Sequence, residues 1–266
     1  MSGNEDWLLQ ARRTATAPVS QARRTLLLVH NGAEHAIGSI EPGLADRMRS
    51  AGFLEDETTS GFRLFGRGDE SLAVVARWLH GRGLGSIWRD ELLAVTDAEG
   101  RRVGAIERAA VRPLGIKTWA VHLVGGASDQ RVWVQQRAFG KATEPGQWDT
   151  LMGGQVAAGE SIEASLERET WEEAGLMLAE LHGLARCEPV IVRRPVADGW
   201  VIEDIEVFRA EIADGVEPVN RDGEVERFEC LEESALIDRL RAGAFTLEAT
   251  LILGAELERR AALKGD

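Results

Sequence analysis

Short apolar runs alternate with amphipathic segments in the first part of the chain. Apolar runs bounded by turn residues are typical of strands, and apolar residues that recur every three or four positions are typical of helices. These rules predict strands over Thr25–His30, Phe62–Phe65, Leu92–Asp97 and Arg102–Glu107, and helices within residues 1–25, over Gly43–Ala51 and over Ser71–His80. The last two strands flank a turn and form a predicted hairpin. We expect residues 1–112 to be a small accessory α+β domain.

The second part of the chain mixes longer strands and helices within one segment. The same rules predict strands over Lys117–Leu123, Arg131–Arg137, Val190–Arg194 and Trp200–Ala210, a further strand that begins within Arg221–Phe228, and helices over Ser161–Gly175, Glu233–Arg241 and Leu247–Leu263. Such a mixture favours a layered α/β fold. We expect residues 113–266 to form this second domain.

The helix predicted over Ser161–Gly175 has the clearest pattern in the chain. Ser161 is a favourable N-cap, and Gly175 stands where helices commonly end. Residues three or four positions apart share a helix face. One face, which we expect to pack inward, carries Ile162, Leu166, Thr170 and Ala174.

Three glutamates, Glu169, Glu172 and Glu173, fall together on an adjacent stripe of this helix. Carboxylates so close repel one another unless a cation neutralises them. Mg²⁺ prefers hard oxygen ligands and is commonly held by a few carboxylates together with substrate phosphates. Arg168 precedes Glu172 by four positions and can pair with it and orient it. The alternative is an acidic helix face that water alone solvates. The glycines and further glutamate in register around this face favour a metal site.

The composition narrows the classes of partner. The chain has 31 Lys and Arg against 44 Asp and Glu, a net charge of −13, which argues against binding to nucleic acid or to an anionic membrane. A small phosphorylated substrate stays compatible, because a metal supplies local positive charge. Cys187 and Cys230 stand alone, which favours a reducing cytoplasm over a disulfide framework. No run approaches the roughly 18 apolar residues of a membrane helix.

The stretch GQVAAGESIEASLERETWEEAGL resembles the signature of the Nudix hydrolase family. Its fixed positions are Gly154, Glu160, Arg168, Glu169, Glu172, Glu173, Gly175 and Leu176. Thr170 departs from the larger aliphatic residue that is usual there, and we expect only a small packing loss. The resemblance implies an α/β/α sandwich with a mixed sheet, and a loop–helix–loop that binds Mg²⁺ or Mn²⁺. It also implies cleavage of a diphosphate linked to another group, X.

Other stretches resemble one Nudix subgroup that carries an additional N-terminal domain and is described as thiamine-pyrophosphokinase-related. The resemblance lies in RAAVRPLGIKTWAVHLVGG, in the segment from residue 131 through the signature, and in PVNRDGEVERFE. It implies that residues 1–112 are the additional domain. It implies as substrate thiamine diphosphate or an oxidised analogue, and it implies a homodimer.

The resemblance also implies roles for residues of the signature and its surroundings. Metal ligands would be Glu169, Glu172, Glu173 and Glu160, with the backbone of Gly154 close by, and Arg168 would orient them. Arg137 and Lys141 would grip the diphosphate, with an ordinary exposed basic pair as the alternative. Trp148 would stack on a substrate ring or lie buried under its loop. A general base is optional in this chemistry, and its candidates are a glutamate of the signature, Glu224 or Glu226, with a solvated turn as the alternative for the last two.

Three alternatives remain open at this stage. Isopentenyl diphosphate isomerase resembles this chain in fold and loop, but it needs a cysteine five positions after the tryptophan, where this chain has Gly153. A non-catalytic ligand sensor would not need all of the carboxylates. Within the hydrolases, ADP-ribose, nucleotide sugars, dinucleotides or nucleoside triphosphates would use the same signature, because it determines the bond cleaved and not the group X.

Overall fold

The computed structural model describes residues 6–18, 23–55, 59 and 61–265. The first helix, α1, covers Asp6–Ala15, within the segment where a helix was expected. Residues 1–5 and 19–22 of that segment lie outside the described residues. Among the described residues, no helix combines the length and the apolarity that a membrane crossing requires.

The N-terminal part contains a three-stranded sheet, two helices and a hairpin. The elements are β1 (Arg24–His30), β2 (Ala33–Ile40), α2 (Pro42–Ser50), β3 (Phe62–Phe65), α3 (Gly68–His80), β4 (Leu92–Thr96) and β5 (Arg102–Glu107). β1 lies in the centre, antiparallel to β2 and parallel to β3, and β4 pairs with β5. One hydrophobic core, which runs from Leu26 to Ile116 in the sequence, joins these elements. The predicted α+β character of this part is confirmed.

The strand β2 was not predicted. It follows a tight turn at Asn31 and Gly32, whose φ angles are 51° and 77°. Asparagine followed by glycine is the preferred pair for a two-residue hairpin turn, because both adopt positive φ at low cost. The strand itself has little apolar alternation, so the turn is the better indicator of the hairpin.

The C-terminal part is built on one mixed sheet. Its strands are β6 (Lys117–Ala127), β7 (Val132–Arg137), β8 (Trp148–Asp149), β9 (Met152–Gln155), β10 (His182–Arg186), β11 (Val190–Val196), β12 (Gly199–Ile212) and β13 (Val225–Leu231). The main order is β10-β12-β6-β7-β13, and β11, β8 and β9 pair with β12, β7 and β6. β12 is parallel to β6, whereas the other pairs are antiparallel.

Helices cover both faces of this sheet. They are α4 (Ile162–Ala174), α5 (Glu233–Arg241) and α6 (Leu247–Gly265). Along β6, Val121 and Leu123 belong to the core under α4, whereas Ala120 and Val124 belong to the core under α5 and α6. This alternation follows from the two-residue period of a strand. The predicted α/β/α sandwich with a mixed sheet is confirmed.

The two parts of the chain contact each other at both ends of the accessory segment. α1 packs on α6, where Arg12 and Glu258 form an ion pair of 2.6 Å. The hairpin β4–β5 lies beside the loop that leads into α4, and the Ala158 amide donates to the Leu92 carbonyl at 2.7 Å. The domain boundary at residue 112 stays a prediction. Although α1 precedes this boundary in the sequence, it packs on the C-terminal part of the chain. The hairpin contact brings N-terminal residues to the edge of the candidate site.

Candidate active site

The signature helix α4 has the ends and the faces that its sequence predicts. Ser161 Oγ accepts a hydrogen bond from the Ala164 amide, and Gly175 ends the helix at a φ of 65°. The side chains of Leu166, Thr170 and Ala174 are buried against the sheet. The helix therefore presents its adjacent glutamate stripe towards β9 and the loops above the sheet.

Arg168 lies at the centre of the signature carboxylates. It donates to both oxygens of Glu160, each at 2.9 Å, and through Nη1 to Glu169 Oε1 at 2.8 Å and Glu172 Oε2 at 3.0 Å. These bonds hold the pKa of Glu160 at about 2, and they raise the pKa of the guanidinium above its usual value. Arg168 thus orients three of the four predicted carboxylates.

Glu169 and Glu173 are much less accessible to water than Glu172. Burial raises the pKa of Glu169 to about 7, and the neighbouring charge of Glu173 adds to the shift against the opposing effect of Arg168. Burial also raises the pKa of Glu173 to about 7, although the carboxylate accepts hydrogen bonds from Gln135 Nε2 at 2.8 Å and from the Gly153 amide at 2.9 Å. Burial therefore favours the protonated forms of these two carboxylates more than it would for exposed glutamates.

The donor set suits a hard divalent cation. Glu169 Oε2 and Glu172 Oε1 accept no hydrogen bond from the described residues, so each keeps an oxygen for a ligand. Gly154 has no Cβ, and one placed there would overlap the Glu169 carboxylate. Within the described part of the chain, no three Asp, Glu, His or Cys side chains converge on one point as they stand. Arg168 and Lys141 neutralise the carboxylates in this arrangement, and a bound ion would draw the free oxygens together.

The two predicted diphosphate-binding cations are already engaged. Lys141 Nζ forms ion pairs with Glu224 and, at 3.6 Å, with Glu173. Arg137 donates to Asp149 Oδ2 at 3.2 Å and to the Thr143 carbonyl at 3.1 Å. Both side chains border the pocket beside α4, a cavity of about 210 Å³. The structure thus brings them to the carboxylates as ion-pair partners.

The two acidic residues predicted as alternative bases occupy different positions. Glu224 borders the same pocket as Glu169, Glu172 and Glu173. Its ion pair with Lys141 and the nearby charges of Arg89 and Arg108 keep its pKa lowered in spite of burial. Glu226, on β13, is exposed and does not line this pocket. The structure therefore separates Glu226 from the other predicted site residues.

The stacking role expected for Trp148 requires a correction, and the alternative of burial is what the structure shows. The side chain lines neither the pocket beside α4 nor the larger cavity next to it. Its ring is 7% exposed and packs against Phe245 at 6.5 Å and under the Arg239 guanidinium at 4.5 Å. The next residue, Asp149, points to the opposite face of β8 and lines the cavity. Successive side chains of a strand alternate between its faces, so Trp148 cannot stack on a substrate while Asp149 faces it.

A second cavity, of about 320 Å³, adjoins the pocket beside α4. The two share the backbone edge at Gly153 and Gly154. Its wall combines apolar and charged side chains from both parts of the chain. Several of these were not identified as site residues from the sequence, including Ile87, Arg89, Arg108, Trp200, Glu144 and Glu248. These residues are far apart in the sequence, and no local spacing relates them.

Glu248, at the start of α6, is the most perturbed carboxylate of this cavity. Burial raises its pKa to about 7, the negative charges of Glu144 and Glu203 add to the shift, and Arg194 at 3.9 Å offsets it in part. A carboxylate whose folded pKa is raised contributes stability below its unfolded pKa and loses it as the pH rises through the folded pKa. The pH window over which this stability is lost therefore runs from the usual glutamate pKa of 4.5 to the raised pKa of about 7.

Glu248→Gln should stabilise the protein in a pH-dependent way. We expect a gain of ~1–2 kcal/mol in the free energy of unfolding at pH 8 and almost none at pH 5, because Gln mimics the protonated acid. Urea unfolding at both pH values measures the difference. Glu217→Gln, at an exposed position, is the matched control for the lost charge. An equal effect of Glu248→Gln at pH 5 and pH 8 would contradict the assigned pKa.

Comparison with known proteins gives a family match. The NUDIX domain family matches residues 96–250, which is more than half of the chain. An uncharacterized Nudix hydrolase of Pseudomonas aeruginosa is 38% identical over 95 residues, which cover 35% of this chain and 56% of that protein. The chain spans 40% and 48% of two chloroplastic Nudix hydrolases of Arabidopsis thaliana, and thus about half the length of these relatives.

The chain is also similar to a protein named as an isomerase and to a protein of known structure. An isopentenyl-diphosphate Delta-isomerase of Leifsonia xyli is 32% identical over 171 residues, which cover 62% of this chain and 89% of that protein. A crystal structure of the protein DR0079 from Deinococcus radiodurans superposes with a TM-score of 0.49 at 24% identity, covering 64% of this chain and 98% of that one. The relatives thus include proteins named as hydrolases and as isomerases.

Proposed function

The chain belongs to the Nudix family, and on that premise we propose that it is a metal-dependent hydrolase that cleaves a diphosphate linkage between phosphate and a group X. The arrangement that carries the proposal is the carboxylate set of α4 held around Arg168. Glu169, Glu172 and Glu173 share one pocket with the Lys141–Glu224 pair. An acidic face kept for solubility alone would not be buried and would not enclose a pocket.

Glu169, Glu172, Glu173 and Glu160 would hold Mg²⁺, or Mn²⁺ in its place, beside the Gly154 backbone. An ion held by these residues would supply acidification of the attacking water and neutralisation of charge on the phosphate oxygens. Arg168 keeps its carboxylates oriented through the bonds described above. In our proposal Glu224, which Lys141 holds ionised at the pocket, accepts the proton of the attacking water, with a signature glutamate as the alternative base. Glu226 has no part in this scheme.

For the group X we propose thiamine, so that thiamine diphosphate or an oxidised analogue is the substrate. The adjoining cavity offers the Trp200 ring and apolar side chains to an aromatic group, and it offers Glu144 and Glu248 to a cationic or amino-bearing one. ADP-ribose and nucleotide sugars are the alternative substrates. Their sugar hydroxyl groups could also donate to Glu144 and Glu248, so the substrate panel below distinguishes the two classes.

Isomerisation of isopentenyl diphosphate is the second candidate, because an isomerase is among the relatives. The chain lacks a cysteine at Gly153, and a Cβ there would lie closer than 3.0 Å to the His122 ring. His122 is buried and hydrogen-bonded to Thr150 Oγ1 at 2.9 Å, so it has little freedom to retreat. The two free cysteines, Cys187 and Cys230, do not line either cavity. These observations favour hydrolysis.

We also propose that residues 1–112 act as an accessory domain that shapes the site, and that the protein works as a cytoplasmic homodimer. The hairpin contact at Ala158 supports the first point. Half-buried, unpaired thiols accord with a reducing compartment. Light scattering coupled to size exclusion tests the dimer, which a monomer mass at micromolar concentration would exclude.

A substrate panel with Mg²⁺ present tests the proposed reaction. Phosphate or monophosphate release is measured with thiamine diphosphate, its oxidised forms, ADP-ribose, nucleotide sugars, dinucleotides and nucleoside triphosphates, and isomerisation is measured with isopentenyl diphosphate. We expect release from a thiamine compound that chelation by EDTA abolishes. Release only from nucleotides would replace the substrate and keep the reaction. No turnover by protein that still binds one of the ligands would indicate a sensor.

A further inference from the structure

Two arginines of the N-terminal part line the pocket beside α4. Arg89 lies between α3 and β4, and Arg108 follows β5 directly. Both side chains border the pocket beside α4 and also the adjoining cavity. Both also contribute to the lowered pKa of Glu224. They therefore stand where the two cavities meet, between the carboxylates and the space assigned to X.

The backbone around Arg89 is fixed in place. The Arg89 amide donates to Glu107 Oε1 at 2.9 Å, and Glu107 is buried. The Arg108 amide donates to the Glu91 carbonyl at 2.9 Å and so holds the two ends of the hairpin together. Asp90 adopts a positive φ of 58° and accepts a hydrogen bond from Trp88 Nε1 at 2.6 Å. A guanidinium carried by such a turn has little positional freedom at its base.

Arg89 differs from the other cations of the pocket in having no partner. Its guanidinium forms no hydrogen bond or ion pair with any described residue, although the residue is half-buried. Arg108 is paired with Glu91 at 2.8 Å, and Arg137 and Lys141 are engaged as described above. The charge of Glu224 is nearby, but no oxygen of the described residues accepts a hydrogen bond from the Arg89 guanidinium. A partly buried guanidinium without acceptors is costly, and a phosphate oxygen pair matches its fork geometry.

We propose that Arg89, with Arg108 beside it, binds the phosphate group of the substrate that lies towards X, on the side away from the signature carboxylates. The N-terminal segment thereby completes the active site. This inference rests on the proposed hydrolase function. Binding of this phosphate group by Arg89 and Arg108 would favour substrates that carry a diphosphate. Arg89 is assigned to binding, and no step of bond cleavage is assigned to it.

Binding of imidodiphosphate, a diphosphate analogue with a P–N–P bridge that resists hydrolysis, tests the assignment by titration calorimetry. Wild type, Arg89→Gln, Arg89→Lys and Arg102→Gln proteins are titrated with and without Mg²⁺ at one ionic strength. Arg102 is the matched control, because it is an exposed arginine on the same hairpin that lines neither cavity. We expect Arg89→Gln to raise Kd about tenfold, Arg89→Lys to raise it less, and Arg102→Gln to leave it within about twofold.

The outcomes separate this inference from the proposed function. Equal Kd values for wild type and Arg89→Gln, or equal losses in Arg89→Gln and Arg102→Gln, would overturn it. So would the absence of any imidodiphosphate binding by wild type in both conditions. Arg89-dependent binding by a protein that hydrolyses nothing in the panel would support the inference while the hydrolase proposal failed. Unchanged melting temperatures of the variants exclude a folding effect.

Discussion

We expect Glu172→Gln protein to hydrolyse the proposed diphosphate substrate at least about a hundredfold more slowly than the wild type. Gln preserves the size of the side chain and removes its negative charge. The Glu172 side chain is 43% exposed, so the change costs little core packing. The expected loss therefore falls on the rate of the reaction and on metal binding, and the free energy of unfolding should stay nearly constant.

The control for this substitution lies on the same helix. Glu167→Gln removes one charge from an exposed position of α4 that does not line the pocket, and it should leave the rate within about twofold. Mn²⁺ binding, followed by electron paramagnetic resonance, should weaken by about tenfold or more in Glu172→Gln alone. A Glu172→Gln protein that kept the wild-type rate with wild-type Mn²⁺ affinity would remove Glu172 from the metal site.

The signature helix could be predicted from the sequence because its determinants are local. The cap at Ser161, the left-handed end at Gly175 and the four-residue step of the buried face all lie within one continuous segment. The same spacing places Arg168 against Glu172, which the structure contains as an ion pair of 3.0 Å. Helix geometry is regular enough that such contacts follow from residue number alone.

The cavity that adjoins the pocket beside α4 could not be predicted, because chain segments far apart in the sequence meet there. Arg89 and Trp200 come from opposite parts of the chain, and only the packing of the hairpin beside the sheet brings them together. Trp148 shows a different difficulty. Stacking and burial were both open for it, because the face on which each side chain lies depends on the register of the two-residue strand β8. A shift of one residue exchanges the faces, and no pattern in so short a strand determines it.

Gly154→Ala should abolish most of the metal-dependent activity without any change to a charged group. An added Cβ at residue 154 would lie closer than 3.0 Å to the Glu169 carboxylate carbon and both of its oxygens. Gly154 lies on β9, which pairs with β6 in the centre of the sheet, so Glu169 must move in place of the backbone. We expect the rate to fall about a hundredfold and Mn²⁺ affinity to fall in parallel, because the displaced carboxylate no longer faces the ion.

A double-mutant cycle shows whether this loss acts through Glu169. Gly140→Ala is the matched control, since no atom lies within 4 Å of the added Cβ and the rate should stay close to that of the wild type. If Gly154→Ala acts by displacing Glu169, the double variant with Glu169→Gln should have nearly the same rate as Gly154→Ala alone, because both changes remove the same ligand. Fully additive losses would mean that the Gly154 backbone serves the reaction independently of Glu169. Only glycine at residue 154 leaves room for the Glu169 carboxylate. Non-additive rate losses would therefore show that Gly154 serves the reaction by leaving this space for Glu169.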